Sequence, residues 1–237
     1  MAVYVYSIVA SKHPQRLDGL DGVGDPPTAL RTVTSEKLTA VVSDAPEELR
    51  PKRRDLGAHQ AVQERLMADG TVLPLQFGFT AQDDDEVRSV LTERLEEFTE
   101  RLQALEDCVE YHLKAAQDEG ALLRQILLDS DEARGLNEQI TSGANSPDLP
   151  LALGELVAKE VQARQDQLAL SALEALRGFA RDERVAEPTG NDFLSVSFLI
   201  HRDNEDGFRT AEKQLADELG SDFDLRLRGP LPAYSFV

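Results

Sequence analysis

Nine residues, Thr71-Val72-Leu73-Pro74-Leu75-Gln76-Phe77-Gly78-Phe79, constrain the fold of this chain more than any other stretch. Five of the nine are large and apolar, and segments with helical periodicity lie on either side. A short apolar run, β-branched at its start and closed by a glycine, is expected to be a buried strand. Pro74 has no amide proton and cannot serve a central strand, so either the strand lies at a sheet edge there or Pro74 sits at a bulge. Just upstream, Arg53 to Asp69 reads as a helix, closed by Gly70, that feeds directly into this strand.

The other elements follow from period and punctuation. Val3 to Val9 alternates β-branched and aromatic residues, a strand pattern, and the Gly-, Asp- and Pro-rich stretch Lys12 to Pro27 is a loop. Leu30 to Thr34 and Lys37 to Ser43 are expected to be two strands of a hairpin, and an open hairpin edge is a site for strand addition. The acids Asp83 to Glu86 suit a helix start by favourable interaction with the helix dipole. From there to Leu105 the spacing predicts one helix, with Leu91, Leu95, Phe98, Leu102 and Leu105 as a heptad seam. Cys108 to Ala115 is read as a strand and Glu119 to Ile140 as a helix. Gly143 to Asp148 is expected to be a turn, followed by a long helix to about Asp182. Phe193 to Ile200 is the most strand-like run, Asn204 to Leu219 is helical, and Asp222 to Leu227 alternates as a last strand. After Cys108 this order approaches the split β-α-β-β-α-β pattern of ferredoxin-like folds, with an oversized first crossover and one strand unplaced.

The expected fold is therefore α+β in two lobes. Residues 1–105 form an irregular ferredoxin-like lobe. Residues 106–237 form a ferredoxin-like lobe with a long antiparallel helical insertion at about 118–182 and an apolar tail. Charge supports the division: the chain carries 44 acidic and 25 basic residues, a net charge of −19, yet residues 1–79 hold 10 and 9. So acidic a surface repels phosphate backbones and anionic lipid, which argues against nucleic-acid and membrane partners. A single cysteine, Cys108, excludes an internal disulfide and a thiolate cluster. No apolar run reaches the ~20 residues that span a bilayer. With no basic segment at Met1-Ala2-Val3-Tyr4, the expectation is a soluble cytoplasmic protein.

The search for chemistry yields no catalytic, cofactor or metal residues. His13, His59, His112 and His201 show no metal-ligand spacing, and His59 is expected to hydrogen-bond the neighbouring sheet from its helix. Arg54 and Asp55 suit local pairing. Consecutive acids at Asp83 to Glu86 fan out around a helix and do not converge on a cation. Gly19 to Gly24 lacks the lysine and the strand-to-helix setting of a phosphate cradle. Cys108, in an apolar strand with acids on both sides, is expected to be inert. The tail from Pro230 to Val237 is too apolar for a disordered end, and two readings stand. It packs back on its own lobe as an extended segment, with Tyr234 and Phe236 pointing the same way, or it is a hook for a partner.

Four of these segments together resemble the gas vesicle protein F/L family. They are Tyr4-Val5-Tyr6-x-Ile8-Val9, Arg54-Asp55-Leu56-x-Ala58-His59-xx-Val62, Thr71-Val72-Leu73-Pro74-Leu75-x-Phe77-Gly78, and Gly229-Pro230-x-Pro232-x-Tyr234-Ser235-Phe236-Val237. Ser7, Gln76, Leu231 and Ala233 stand where the family usually has Gly, Arg, Trp and Pro. The resemblance implies two α+β lobes with a coiled-coil insertion and a non-enzymatic accessory role in gas vesicles. That role is binding of the hydrophobic main shell protein, through the N-terminal lobe, during vesicle initiation and assembly, beside other accessory proteins. A ligand-binding regulator or enzyme built on a ferredoxin-like lobe is the alternative that fold alone leaves open.

Overall fold

Residues 1–143 and 146–237 are described in the computed structural model of the chain. The turn expected at 143–148 has its middle pair, Ala144 and Asn145, outside the described residues. The fold is α+β, and the chain divides into two compact units. One comprises Met1–Tyr111, Leu199–Asp203 and Gly229–Val237; the other comprises His112–Phe198 and Asn204–Arg228. The apolar tail thus counts with the first unit and not, as the domain expectation had it, with the second. Charge does not follow the division either. The first unit holds 22 acidic and 13 basic residues and the second 22 and 12. Near-neutrality is confined to residues 1–79, because the helices that follow bring their acids into the same unit.

In the first unit, β1 (Val3–Ala10) is central and pairs antiparallel with β3 (Leu38–Asp44), which pairs with β2 (Arg31–Ser35). Seven of the eight β1 residues are buried, as a strand covered on both faces requires. Helix α1 (Arg53–Asp69) has the bounds its sequence suggests. The stretch 71–79 differs from expectation: it is no continuous strand. Only the short strands β4 (Leu73–Pro74) and β5 (Thr80–Ala81) pair with β1, both at its outer edge, and residues 75–79 form the loop between them, bonded to β1 at its two ends, Leu75 and Phe79. Pro74 ends the first pairing, and Gly78, at φ 102°, turns the chain back.

The single helix expected to Leu105 is two, α2 (Asp84–Glu93) and α3 (Leu95–Ala104), separated at Arg94. The break lets each lay its own stripe, Val87 and Leu91 or Phe98 and Leu102, into one core with Val3, Val5, Val33 and Ala40. Asp83 caps α2, accepting from the amides of Asp85 and Glu86 at 3.0 and 2.9 Å, which is the capping role its position suggests.

The second sheet has the order β7 (Ala180–Val185), β8 (Asp192–His201), β6 (Cys108–Gln117), β9 (Phe223–Leu231). With α7 (Glu205–Leu219) before β9, this is the split β-α-β-β-α-β arrangement, and β7 is the strand that was missing. The helix expected to about Asp182 overlaps its first three residues. Helix α6 (Asp148–Arg177) stops three residues earlier than β7 begins, and Phe179 turns the chain. The segment before it also divides, into α4 (Glu119–Asp129) and α5 (Asp131–Thr141), where Ser130 caps α5 through its hydroxyl at 3.2 Å. The insertion is therefore a bundle of three helices around Leu122, Ile126 and Ala133, in which α6 alone has 30 residues.

Candidate functional site

Three of the four sequence segments that carry the family resemblance meet the fourth at one side chain, His59. Helix α1 presents Asp55, His59, Val62, Gln63 and Leu66 along its buried side, the i, i+4 and i+3 spacing of one face. On β1, Tyr4 and Tyr6 project to that face, 0% exposed, and His59 is 4% exposed. The imidazole lies 5.7 Å from the Tyr6 ring in a stacked arrangement and 5.9 Å from Phe77 of the 75–79 loop, edge on.

The hydrogen bonds place the protons. The Gly78 amide donates to the Tyr4 hydroxyl oxygen at 3.3 Å, so the Tyr4 proton goes to His59 Nδ1 at 2.8 Å. The imidazole then carries its proton on Nε2, which donates to the Tyr234 hydroxyl at 3.1 Å. Burial holds His59 below the ordinary histidine range, so it is neutral at neutral pH. Burial likewise raises the Tyr4 phenol well above its usual value and Tyr234 to about 12. Beneath them Gln63 accepts from Ser7 Oγ and donates to the Tyr6 carbonyl, both at 2.5 Å.

Around this centre the loops are tied by the same logic. Tyr6 Oη accepts from the Val23 amide at 2.8 Å. Buried Asp55 accepts from the Gly24 amide at 3.0 Å and from Arg54, whose guanidinium also reaches Asp25 at 2.9 Å. Glu110, 4% exposed, accepts from the Ser235 amide and hydroxyl at 2.8 and 2.7 Å. The tail is therefore packed back, but not extended as expected. Residues Tyr234–Phe236 form a 3-10 turn, because Ser235 is drawn to Glu110, so Tyr234 meets His59 while Phe236 packs against the core of Val5, Leu73 and Leu91.

Chemically this is a knot of side chains that bond one another. The Tyr4 hydroxyl, both His59 nitrogens and the Tyr234 hydroxyl are occupied by one another, and at 0% and 4% exposure Tyr4 and His59 leave no room for a substrate. The remaining histidines lie apart: His13 bonds the Leu66 carbonyl at 3.1 Å, His112 bonds Ser197 at 3.0 Å, and His201 faces Asp203. Cys108 is buried, 3.3 Å from the Glu106 carbonyl. Among the described residues no group of three or more His, Cys, Asp or Glu side chains is placed to hold a metal ion. The sequence pointed to His59 bonding the sheet; Glu110 and the His59–Tyr234 bond it did not show. The first unit also carries an apolar groove of about 380 Å³, lined by Val5, Ile8, Leu75, Phe79, Val87 and Val90, with Phe79 54% exposed.

Two units of this architecture are those of solved gas vesicle proteins. The crystal structure of GvpF from Anabaena sp. PCC7120 superposes with a TM-score of 0.87 at 22% identity, covering 99% of this chain and 97% of that one. That of GvpF from Microcystis aeruginosa gives 0.81 at 21% identity, covering 99% and 98%. In sequence, gas vesicle protein F of Streptomyces sp. (strain CB03234) is 46% identical over the whole of both chains. The homonymous protein of Haloferax mediterranei is 23% identical over 99% of this chain and 92% of its own. The chain belongs to the gas vesicle synthesis protein GvpL/GvpF family, whose model matches residues 2–237.

Proposed function

We propose that this chain is a non-enzymatic accessory protein of gas vesicles that binds the hydrophobic main shell protein through its first unit and assists vesicle initiation and assembly. It acts in the cytoplasm and at the vesicle, beside other accessory proteins. The observation that carries this reading is full-length identity of 46% to a gas vesicle protein F. The structure supports it physically. Apolar shell subunits need a partner until they enter the wall, and the first unit exposes an apolar groove built in part from the near-neutral segment 1–79, Phe79 included. The acids of both units keep such a complex soluble by mutual repulsion. No described helix is long and apolar enough to cross a membrane.

The test is co-expression of the tagged full-length chain with the main shell protein, followed by capture in physiological salt. Retention of shell protein is expected; its absence from the captured fraction, with both proteins present in the cell extract, overturns the reading.

A further inference from the structure

The two edges of the first sheet are treated in opposite ways. At the β1 side, the outward backbone groups are taken: Leu75 donates to the Tyr6 carbonyl and Val5 to the Phe79 carbonyl, both at 3.0 Å. Between them stand two strands of two residues each, one containing Pro74, and β1 itself has a register shift between Val5 and Ser7. Short strands, proline and irregular register are the devices that close an edge to further pairing.

None of them protects β2. Its ladder to β3 is regular over all five residues, from Arg31 opposite Val42 to Ser35 opposite Leu38. Because only Glu36 and Lys37 separate Ser35 from Leu38, these two are a hydrogen-bonded pair, and so are Val33 with Ala40 and Arg31 with Val42. The amides and carbonyls of Thr32 and Thr34 consequently point away from β3. Both residues are exposed, and these four backbone groups have no partner among the described residues. The strand is held ready: Arg31 bonds Asp44 and Asp84 at 2.8 Å, and Ser35 bonds Thr92 at 2.7 Å, fixing β2 to α2 along its whole length. Two carboxylates engage the Arg31 guanidinium, so no free cation faces an incoming strand. Thr34 turns its hydroxyl to Thr39 at 3.0 Å, which leaves its γ-methyl for a neighbour.

We infer that the β2 edge, through the outward backbone groups of Thr32 and Thr34, is where an extended, uncharged, β-branched segment of the shell protein adds as a further strand of the sheet. This rests on the proposed shell-protein binding and names its site. An edge whose outward backbone groups belong to two uncharged threonines suits a strand from an apolar protein, since main-chain bonds supply affinity and threonine methyls meet β-branched side chains across the pair.

Proline at Thr32 or Thr34 deletes an amide that serves no bond within the protein, so the hairpin is kept while the docking bond is lost. The experiment compares capture of co-expressed shell protein by the full-length chain, by Thr32→Pro and Thr34→Pro, by the double variant Thr32→Lys with Thr34→Lys, and by Phe79→Asp. The lysine variant, which blocks an edge without touching the backbone, covers the case in which a proline variant misfolds. Expected is a fall in capture of about tenfold or more for the β2 variants, the factor carried by one or two backbone hydrogen bonds. Their melting should be close to that of the unmodified chain. Capture by folded β2 variants equal to the unmodified chain, or loss only in Phe79→Asp, overturns the assignment. So does a concentration-dependent dimer of the chain alone that the β2 variants abolish, since the edge then takes a second copy. Failure of the unmodified chain to capture shell protein refutes the proposed function itself, and is read from a different arm.

Discussion

Deleting residues 230–237 is the sharpest test of the knot around His59. The deletion removes buried Pro232 and Ala233, the half-buried rings of Tyr234 and Phe236, the Tyr234–His59 bond and both Ser235 bonds to Glu110. Half-burial of two aromatic rings contributes about 1 kcal/mol each. Taking two donors from a buried carboxylate costs about 2–3 kcal/mol, and the loss at His59 adds about 1. The total, roughly 5–6 kcal/mol, is a large share of a typical stability of roughly 5–15 kcal/mol. For a chain of this length that corresponds to a fall in melting temperature of about 10–20 °C, measured by circular dichroism with the full-length chain alongside. Ser235→Ala, which removes only the hydroxyl bond, should show a fraction of this loss. A truncated protein that melts within a few degrees of the full chain and fails only in shell-protein capture would show that the tail is a hook, and the energetic reasoning would fall.

Two further outcomes follow from the same unit. His59 and His13 are both held below the ordinary histidine value by burial, so the unfolded chain takes up their protons first as pH falls. Their contribution is complete above about pH 6.5 and is lost progressively below it, down to the depressed folded values. Urea midpoints should therefore be level from pH 8 to 7 and fall between about pH 6.5 and 5, before carboxylates titrate; a flat profile to pH 5 contradicts the burial argument. Gly229, at φ 154°, brings its Cα against Tyr111, and a Cβ there would stand 2.5 Å from Tyr111 Cδ1 and 2.9 Å from the Glu110 carbonyl. Gly229→Ala should lower stability by about 2 kcal/mol or more, through the clash and the strained φ together. A melting temperature within about 2 °C of the parent would refute it.

Local signals were legible where period and punctuation agreed. Helix α1 could be bounded because Gly70 ends it, and the β2–β3 hairpin because two polar residues separate two β-branched runs. The breaks at Arg94 and Ser130 carry no glycine or proline; at Ser130 the hydroxyl caps α5, whereas Arg94 makes no side-chain cap and the two short helices there pack into one core. Strand β7 was hidden because Ala-Arg-Asp-Glu-Arg-Val has no apolar alternation; its place at a sheet edge, with a half-exposed pattern, removes the need for one. His59 announced itself as a polar residue on a buried helix face. Its partner Tyr234 did not, since 175 residues separate them and no periodicity links residues so distant. The charge shift after residue 79 is real, but α2 and α3 are acidic on their solvent side only, so charge marked the change from sheet to helices and not a boundary between units.

The distribution of the first unit along the chain has a consequence for the order in which it is made. Its first 111 residues emerge early from the ribosome, yet the hydroxyl that binds His59 and the serine that binds Glu110 belong to residues 229–237. At about 5–20 residues per second the wait between the two is roughly 6–25 s. During that interval the cleft above His59 stands open and the side chains that will line it are wet, a state longer-lived than hairpin or helix formation by many orders of magnitude. Completion of the unit is thus a late event, timed by synthesis of residues 229–237 and not by the folding of residues 1–111.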